Sequence, residues 1–168
     1  MGSGKSGLYS GTKGCSSGTI TSTKQQKEKN KKAAEKRKET IHKKLEAVKS
    51  LFESGRIQLN KIKTNPKCLE KVTPKQWKRI LAELGYEDVS VAKSTQSSSG
   101  ATIVKIGKQG RGNNINQVQI SPGGGRHGER PYIKISTTDQ GKTKVVFGKK
   151  SEYRHEGNER ATIIFTEE

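Results

Sequence analysis

Between residues 101 and 166 apolar side chains recur at every second position. The runs 101–106, 116–121, 132–137, 143–147 and 161–166 are rich in Ile, Val, Thr, Tyr and Phe, and Gly, Asn, Pro and charged residues separate them. Successive side chains of an extended chain point to opposite faces, so this alternation describes half-buried strands. Strands so close in sequence pair antiparallel, which predicts a four- to five-stranded β-meander with one apolar face. Something must cover that face.

The segment just upstream supplies the cover. Thr73 suits an N-cap, Pro74 the first helical position, and Gln76 can reach back to complete a capping box. Trp77, Ile80, Leu81 and Leu84 follow at helical spacing, and Gly85 falls where a helix stops. Asn65-Pro66 opens a shorter helical turn carrying Leu69 and Val72. A short amphipathic helix packed on a meander makes residues 62–168 an α+β domain.

Residues 24–61 read as a basic helical arm. Lys24 to Phe52 hold no Gly or Pro, and Ile41, Leu45, Val48 and Phe52 form one stripe at the C-terminal end of a long basic helix. Residues 1–23 are Gly, Ser, Thr and Lys with little to bury, and are expected to be a flexible leader. The run Gly2-Ser3-Gly4-Lys5-Ser6 resembles the end of a phosphate-binding loop, but it lacks the first glycine and the preceding strand. Only 27% of the 168 residues are hydrophobic, so one small core with a solvated arm is expected.

The net charge of +18 concerns partners more than fold. Nucleic acid is the first candidate, because lysines and arginines that neutralise phosphates release condensed counterions. No apolar run approaches the ~20 residues of a membrane span. Cys15 and Cys68 have neither disulfide-framework nor zinc-site spacing and are read as free thiols.

If the helix covers Val118, Ile120, Ile133 and Ile135, the opposite face carries Gln117, Gln119, Ser121, Tyr132, Lys134, Ser136, Lys142 and Lys144. Beside it runs Ser121-Pro122-Gly123-Gly124-Gly125-Arg126-His127-Gly128-Glu129-Arg130. Its glycines allow close backbone approach to a ligand, and Arg126 and Arg130 offer forked phosphate donors. His127 is suited to proton transfer near neutral pH. His42 reads as solvated, and His155 as a turn residue and possible second proton donor. The plainer alternative is a solvated sheet face with an exposed hairpin loop. No His, Asp and Glu grouping has metal-ligand spacing, which disfavours zinc and two-metal nucleases; no cofactor is expected.

Metal-free chemistry on RNA fits this inventory, because RNA supplies its own nucleophile in the 2′-OH. The candidate catalytic residues are His127, Lys134, Arg126, Ser136 and Thr137. Arg130, Tyr132, Lys142, Lys144 and Gln119 are the candidate nucleic-acid-binding residues.

The helix-then-meander order, the Ser121–Gly128 stretch and Tyr132-Ile133-Lys134-Ile135-Ser136-Thr137 resemble the C-terminal RNase domains of bacterial polymorphic toxins, with barnase-, EndoU-, colicin- and RelE-like folds. The resemblance covers roughly residues 62–168. It implies a metal-independent endoribonuclease with His, Lys, Arg and hydroxyl groups on the open sheet face. It also implies a longer parent protein, secreted or delivered into a target-cell cytoplasm, and an acidic immunity protein as partner. The other reading is a non-catalytic nucleic-acid-binding or structural protein, which would be cytoplasmic.

Overall fold

A computed structural model of the protein describes residues 17–168, with side chains from residue 23 onward. The loop-like run at residues 2–6, Cys15 and most of the expected leader lie outside the described residues. The chain forms two compact units, Met1–Ile41 and His42–Glu168.

Helix α1 spans Ser17–Lys49 and so begins inside the segment expected to be leader. After Gly18 no glycine or proline interrupts it, and one glycine near a helix end costs only about 1 kcal/mol. Every side chain from residue 23 to residue 41 is exposed, as a run with charges on all sides requires.

The second unit opens with the end of α1, where Leu45 and Val48 are buried. The helix stops at Lys49, so Phe52 is not part of its stripe but begins a tight hairpin, β1 (Phe52–Glu53) and β2 (Arg56–Ile57). Ser54 and Gly55 turn that hairpin with φ of 51° and 79°, the pair of positive values a two-residue turn of matching twist needs. Helix α2 (Leu59–Thr64), a 3-10 turn at Pro66–Leu69 and α3 (Pro74–Glu83) follow. The capping box of α3 is complete: the Gln76 amide donates to Thr73 Oγ1 at 3.1 Å, and the Thr73 amide donates to Gln76 Oε1 at 3.0 Å.

Six strands then make one sheet in sequence order: β3 (Glu87–Lys93), β4 (Thr102–Lys108), β5 (Ile115–Ser121), β6 (Tyr132–Thr137), β7 (Lys142–Lys149) and β8 (Thr162–Glu167). The fold is α+β, with two corrections to the meander. An additional edge strand, β3, precedes it, and β8 pairs parallel to β7 rather than antiparallel. Residues 150–161 give the chain enough length to return and re-enter in the same direction.

Trp77, Ile80 and Leu81 of α3 are fully buried in one core with Val104, Val118, Ile133, Ile135 and Val145 of the sheet. Leu84 and Ile120 pack against its margin. Leu45, Val48, Leu51, Phe52 and Ile57 belong to the same core, so the folded unit begins at His42 and not at residue 62. The apolar end of the arm has no other way to leave water.

A polar pin holds the hairpin to one end of the sheet. Asn114 is fully buried, and its Oδ1 accepts from the Ile57 amide at 2.9 Å. Its Nδ2 donates to the Ile57 carbonyl and to Asp139, each at 3.0 Å, and Asp139 also pairs with Arg56. Both strand-end loops at that edge are thereby fixed, leaving the other end of β5 and β6 to carry the glycine-rich loop.

Candidate functional site

The uncovered face of the sheet forms a cleft of about 880 Å³. Its floor follows from register: Gln119 pairs with Lys134 and Lys134 with Lys144, while Gln117 pairs with Ser136 and Ser136 with Lys142. Gln117, Gln119, Lys134, Lys142 and Lys144 all line the cleft, together with Lys105, Tyr132, Arg126 and His127. Of the polar face read from β5, β6 and β7, Ser121 and Ser136 do not line the cleft, and Ala92, Ile103 and Ala161 give it an apolar part.

Residues 121–131 close one end. Gly123, Gly124 and Gly128 have φ of 90°, 82° and 111°, and a Cβ at Gly128 would lie 2.7 Å from the Glu152 carbonyl. That close approach brings the segment after β7 against the loop. The Arg154 amide donates to the His127 carbonyl at 3.0 Å, and His127 Nδ1 donates to the Arg154 carbonyl at 2.9 Å. A carbonyl can only accept, so Nδ1 carries the proton and neutral His127 keeps Nε2 as a base. Nε2 has no protein partner among the described residues. The ring stacks on Tyr153 at 5.1 Å with an interplanar angle of 4°, and only 17% of the side chain is exposed. His127 is thus an oriented imidazole and not a floppy loop residue.

Behind it lies a cluster of which the sequence reading had only Lys144, as a nucleic-acid-binding residue; in the fold that lysine is buried and paired with Glu159. Lys144 is 3% exposed, pairs with Glu159, donates to the Tyr153 hydroxyl at 2.7 Å and sits 4.6 Å above the Tyr132 ring. The Tyr153 hydroxyl in turn donates to Glu159 at 2.7 Å. Burial pushes the Glu159 carboxyl up, but the bonds from Lys144 and Tyr153 outweigh it and hold the carboxyl below its usual range. Burial, then the bond to Glu159, pushes the Tyr153 phenol up, so it stays protonated. Glu159 Oε2 is also 3.9 Å from His127 Nδ1. The sequence held no local signal for Glu159: a buried lysine needs a carboxylate, but the burial of Lys144 is seen only in the fold.

Lys134 differs from Lys144. It is half-buried, lines the cleft and has no hydrogen bond or ion pair among the described residues. Burial, with Lys144 and Lys142 nearby, pushes its ammonium below the usual lysine value, against the pull of Glu159. A phosphate placed on it would meet an uncompensated cation.

The other expected residues fall elsewhere. Arg126 borders the cleft on an exposed side chain, 3.3 Å from Glu156. Arg130 is paired to Glu152 and lines a separate cleft of about 400 Å³ with Arg154. Thr137 is committed to a turn, donating to the Gly141 carbonyl at 2.8 Å and accepting from the Gln140 amide at 2.9 Å. Ser136 is half-buried between Gln117 and Lys142 but does not line the cleft. His155 is exposed beside Tyr153 and does not line the cleft, and His42 is exposed. Among the described residues, no three His, Cys, Asp or Glu side chains gather as a metal site, and no helix is long and apolar enough to cross a membrane. No family model matches the chain, and neither a curated protein nor a solved structure matches it.

Proposed function

We propose that the cleft belongs to a metal-independent endoribonuclease that cleaves RNA by 2′-OH transesterification. One observation carries this reading: an imidazole with Nδ1 fixed on a backbone carbonyl and Nε2 free, in the same cleft as the unpaired Lys134. His127 Nε2 takes the 2′-OH proton, and the 2′-oxygen forms its bond to phosphorus. The bond to the 5′-oxygen breaks, leaving a 2′,3′-cyclic phosphate. Lys134 holds the phosphoryl oxygens as their charge grows and gives a proton to the departing 5′-oxygen, a task its depressed ionisation suits. Lys144, Glu159 and Tyr153 hold the imidazole and Tyr132 in place.

The resemblance to polymorphic toxin RNase domains extends this reading to a domain of a longer protein, secreted or delivered into a target-cell cytoplasm and restrained by an acidic immunity protein. The test is incubation with total RNA in EDTA. Products ending in 2′,3′-cyclic phosphate support the reading, and intact RNA overturns it.

The second reading, a non-catalytic nucleic-acid-binding protein, draws on the exposed helix from residue 23 to residue 41, with Lys or Arg at eight of those positions and Glu at three. RNA that stays intact but binds with a steep salt dependence favours it.

A further inference from the structure

The two sides of the cleft differ in chemistry. Toward β6, β7 and residues 156–160 it is ionic, with Lys134, Lys142, Lys144, Glu156, Glu159 and Arg160. Toward β3, β4 and β5 its wall includes residues 94–99, Ser-Thr-Gln-Ser-Ser-Ser, continuous with Gln117 and Gln119. These hydroxyls and amides are uncharged, and the charges on their side of the cleft are Lys93 and Lys105, the latter the cross-strand neighbour of Gln117.

The neutral wall is built, and part of its hydrogen-bonding capacity is unused. Ser97 Oγ lies 2.9 Å from Ser99 Oγ, which lies 3.2 Å from Ser121 Oγ, so the loop is tied to the end of β5. A Cβ at Gly125 would sit 3.2 Å from Ser99 Cβ; glycine there lets the serine loop reach the His127 loop. Gln117 and Gln119 are half-buried, yet neither side chain has a hydrogen-bond partner among the described residues. Amides already withdrawn from part of their water, with both donor and acceptor free, are what a polar, uncharged ligand group needs. Lys134, the cation free to take a phosphate, is the direct cross-strand neighbour of Gln119.

A neutral hydrogen-bonding wall one strand away from an anion site matches the two halves of a nucleotide. We infer that Gln117, Gln119 and the 94–99 loop form a subsite that reads an unpaired nucleobase, next to the phosphate held at Lys134. The inference rests on the RNA reading and adds base selectivity to it. A volume of about 880 Å³ lies within the ~300–1,000 Å³ of small-ligand sites, suiting a splayed nucleotide of single-stranded RNA. A site that hydrogen-bonds its ligand rejects the ligand lacking the partner group, because its own polar atoms are then left unpaired.

The test titrates the full chain with the four 3′-nucleoside monophosphates and with inorganic phosphate, by calorimetry. The expected result is at least a tenfold spread in Kd among the four bases. Gln119→Leu compresses the spread to about twofold while phosphate binding is unchanged, and Lys134→Ala weakens all five ligands together. Gln117→Leu reports on the same wall if Gln119→Leu does not fold. Four equal nucleotides, or a spread that survives both glutamine variants, overturn base reading and leave the nuclease reading standing. If neither phosphate nor any nucleotide binds, the subsite falls, and the nuclease reading falls with it when RNA also stays intact. RNA cleavage with cyclic-phosphate ends separates the two, since it reports catalysis whether or not a base is preferred.

Discussion

His127 and Tyr153 lie with their rings parallel, 5.1 Å between centroids and 4° apart in plane. The histidine comes from the glycine-rich loop and the tyrosine from the segment that follows β7, so the stack joins two stretches that both leave the sheet. Together with the bonds from the Arg154 amide to the His127 carbonyl and from His127 Nδ1 to the Arg154 carbonyl, it fixes the direction in which Nε2 is available.

Replacing His127 with Ala should lower RNA cleavage by ~10²–10⁴ while binding persists, since only the proton transfer is lost. The stack contributes about 0.5–1.5 kcal/mol beyond its buried area, so a small loss of stability accompanies the change. Rate and urea midpoint measured on the same preparation separate the two effects. Cleavage equal to the parent's would remove His127 from the mechanism.

Glu159→Gln should behave as a stability variant first. It leaves the buried Lys144 side chain without its counter-charge, and breaking a buried pair costs about 3–5 kcal/mol. The parent also carries a pH signature. The Glu159 carboxyl is depressed in the folded state, so its contribution is complete above the unfolded glutamate value of ~4.3 and is lost as pH falls through the lower folded value. Thermal midpoints from pH 7 down to pH 3 should fall less steeply for Glu159→Gln than for the parent.

On the proposed mechanism, the alkaline limb of the cleavage profile should belong to Lys134. Burial and the neighbouring lysines hold its ammonium below the ordinary lysine value, so the rate should decline at a pH below ~10.4 as that proton is lost. Lys134→Arg keeps the charge but not a transferable proton. It should bind RNA nearly as well as the parent and cut it poorly. An unchanged alkaline limb in Lys134→Arg would assign the acid elsewhere.

Asn114→Ala should destabilise the fold by about 2–3 kcal/mol, because the buried amide and carbonyl of Ile57 lose the Asn114 side chain. The pin stands at the far end of β5 from the His127 loop. Urea titration should show the loss, with little change in nucleotide affinity for the protein that remains folded.

The capping box, the Trp77 stripe and the alternation along β5 and β6 were legible because each is a local pattern, decided within about ten residues. Edge strand β3 was not, since Glu87-Asp88-Val89-Ser90-Val91 is largely exposed and has too few apolar positions to mark a face. The parallel pairing of β8 was hidden for another reason. Periodicity tells which face a residue takes, never which neighbour a strand chooses. His127, Lys134 and Gln119 could be placed because strand parity and a glycine-flanked loop put them on one side. Glu159 could not: it sits in the polar run Glu156-Gly157-Asn158-Glu159-Arg160, and only the three-dimensional position of Lys144 gives it a role.

Strand order also sets a timetable. Synthesis delivers Lys144 in β7 before Tyr153 and Glu159, and β8 follows them. The partners that Lys144 has in the finished fold, Tyr153 and Glu159, both come from that later stretch. The His127 loop likewise takes from it the carbonyl and the ring that orient it. The cleft is therefore completed by the same stretch of chain that leads into the last strand of the sheet.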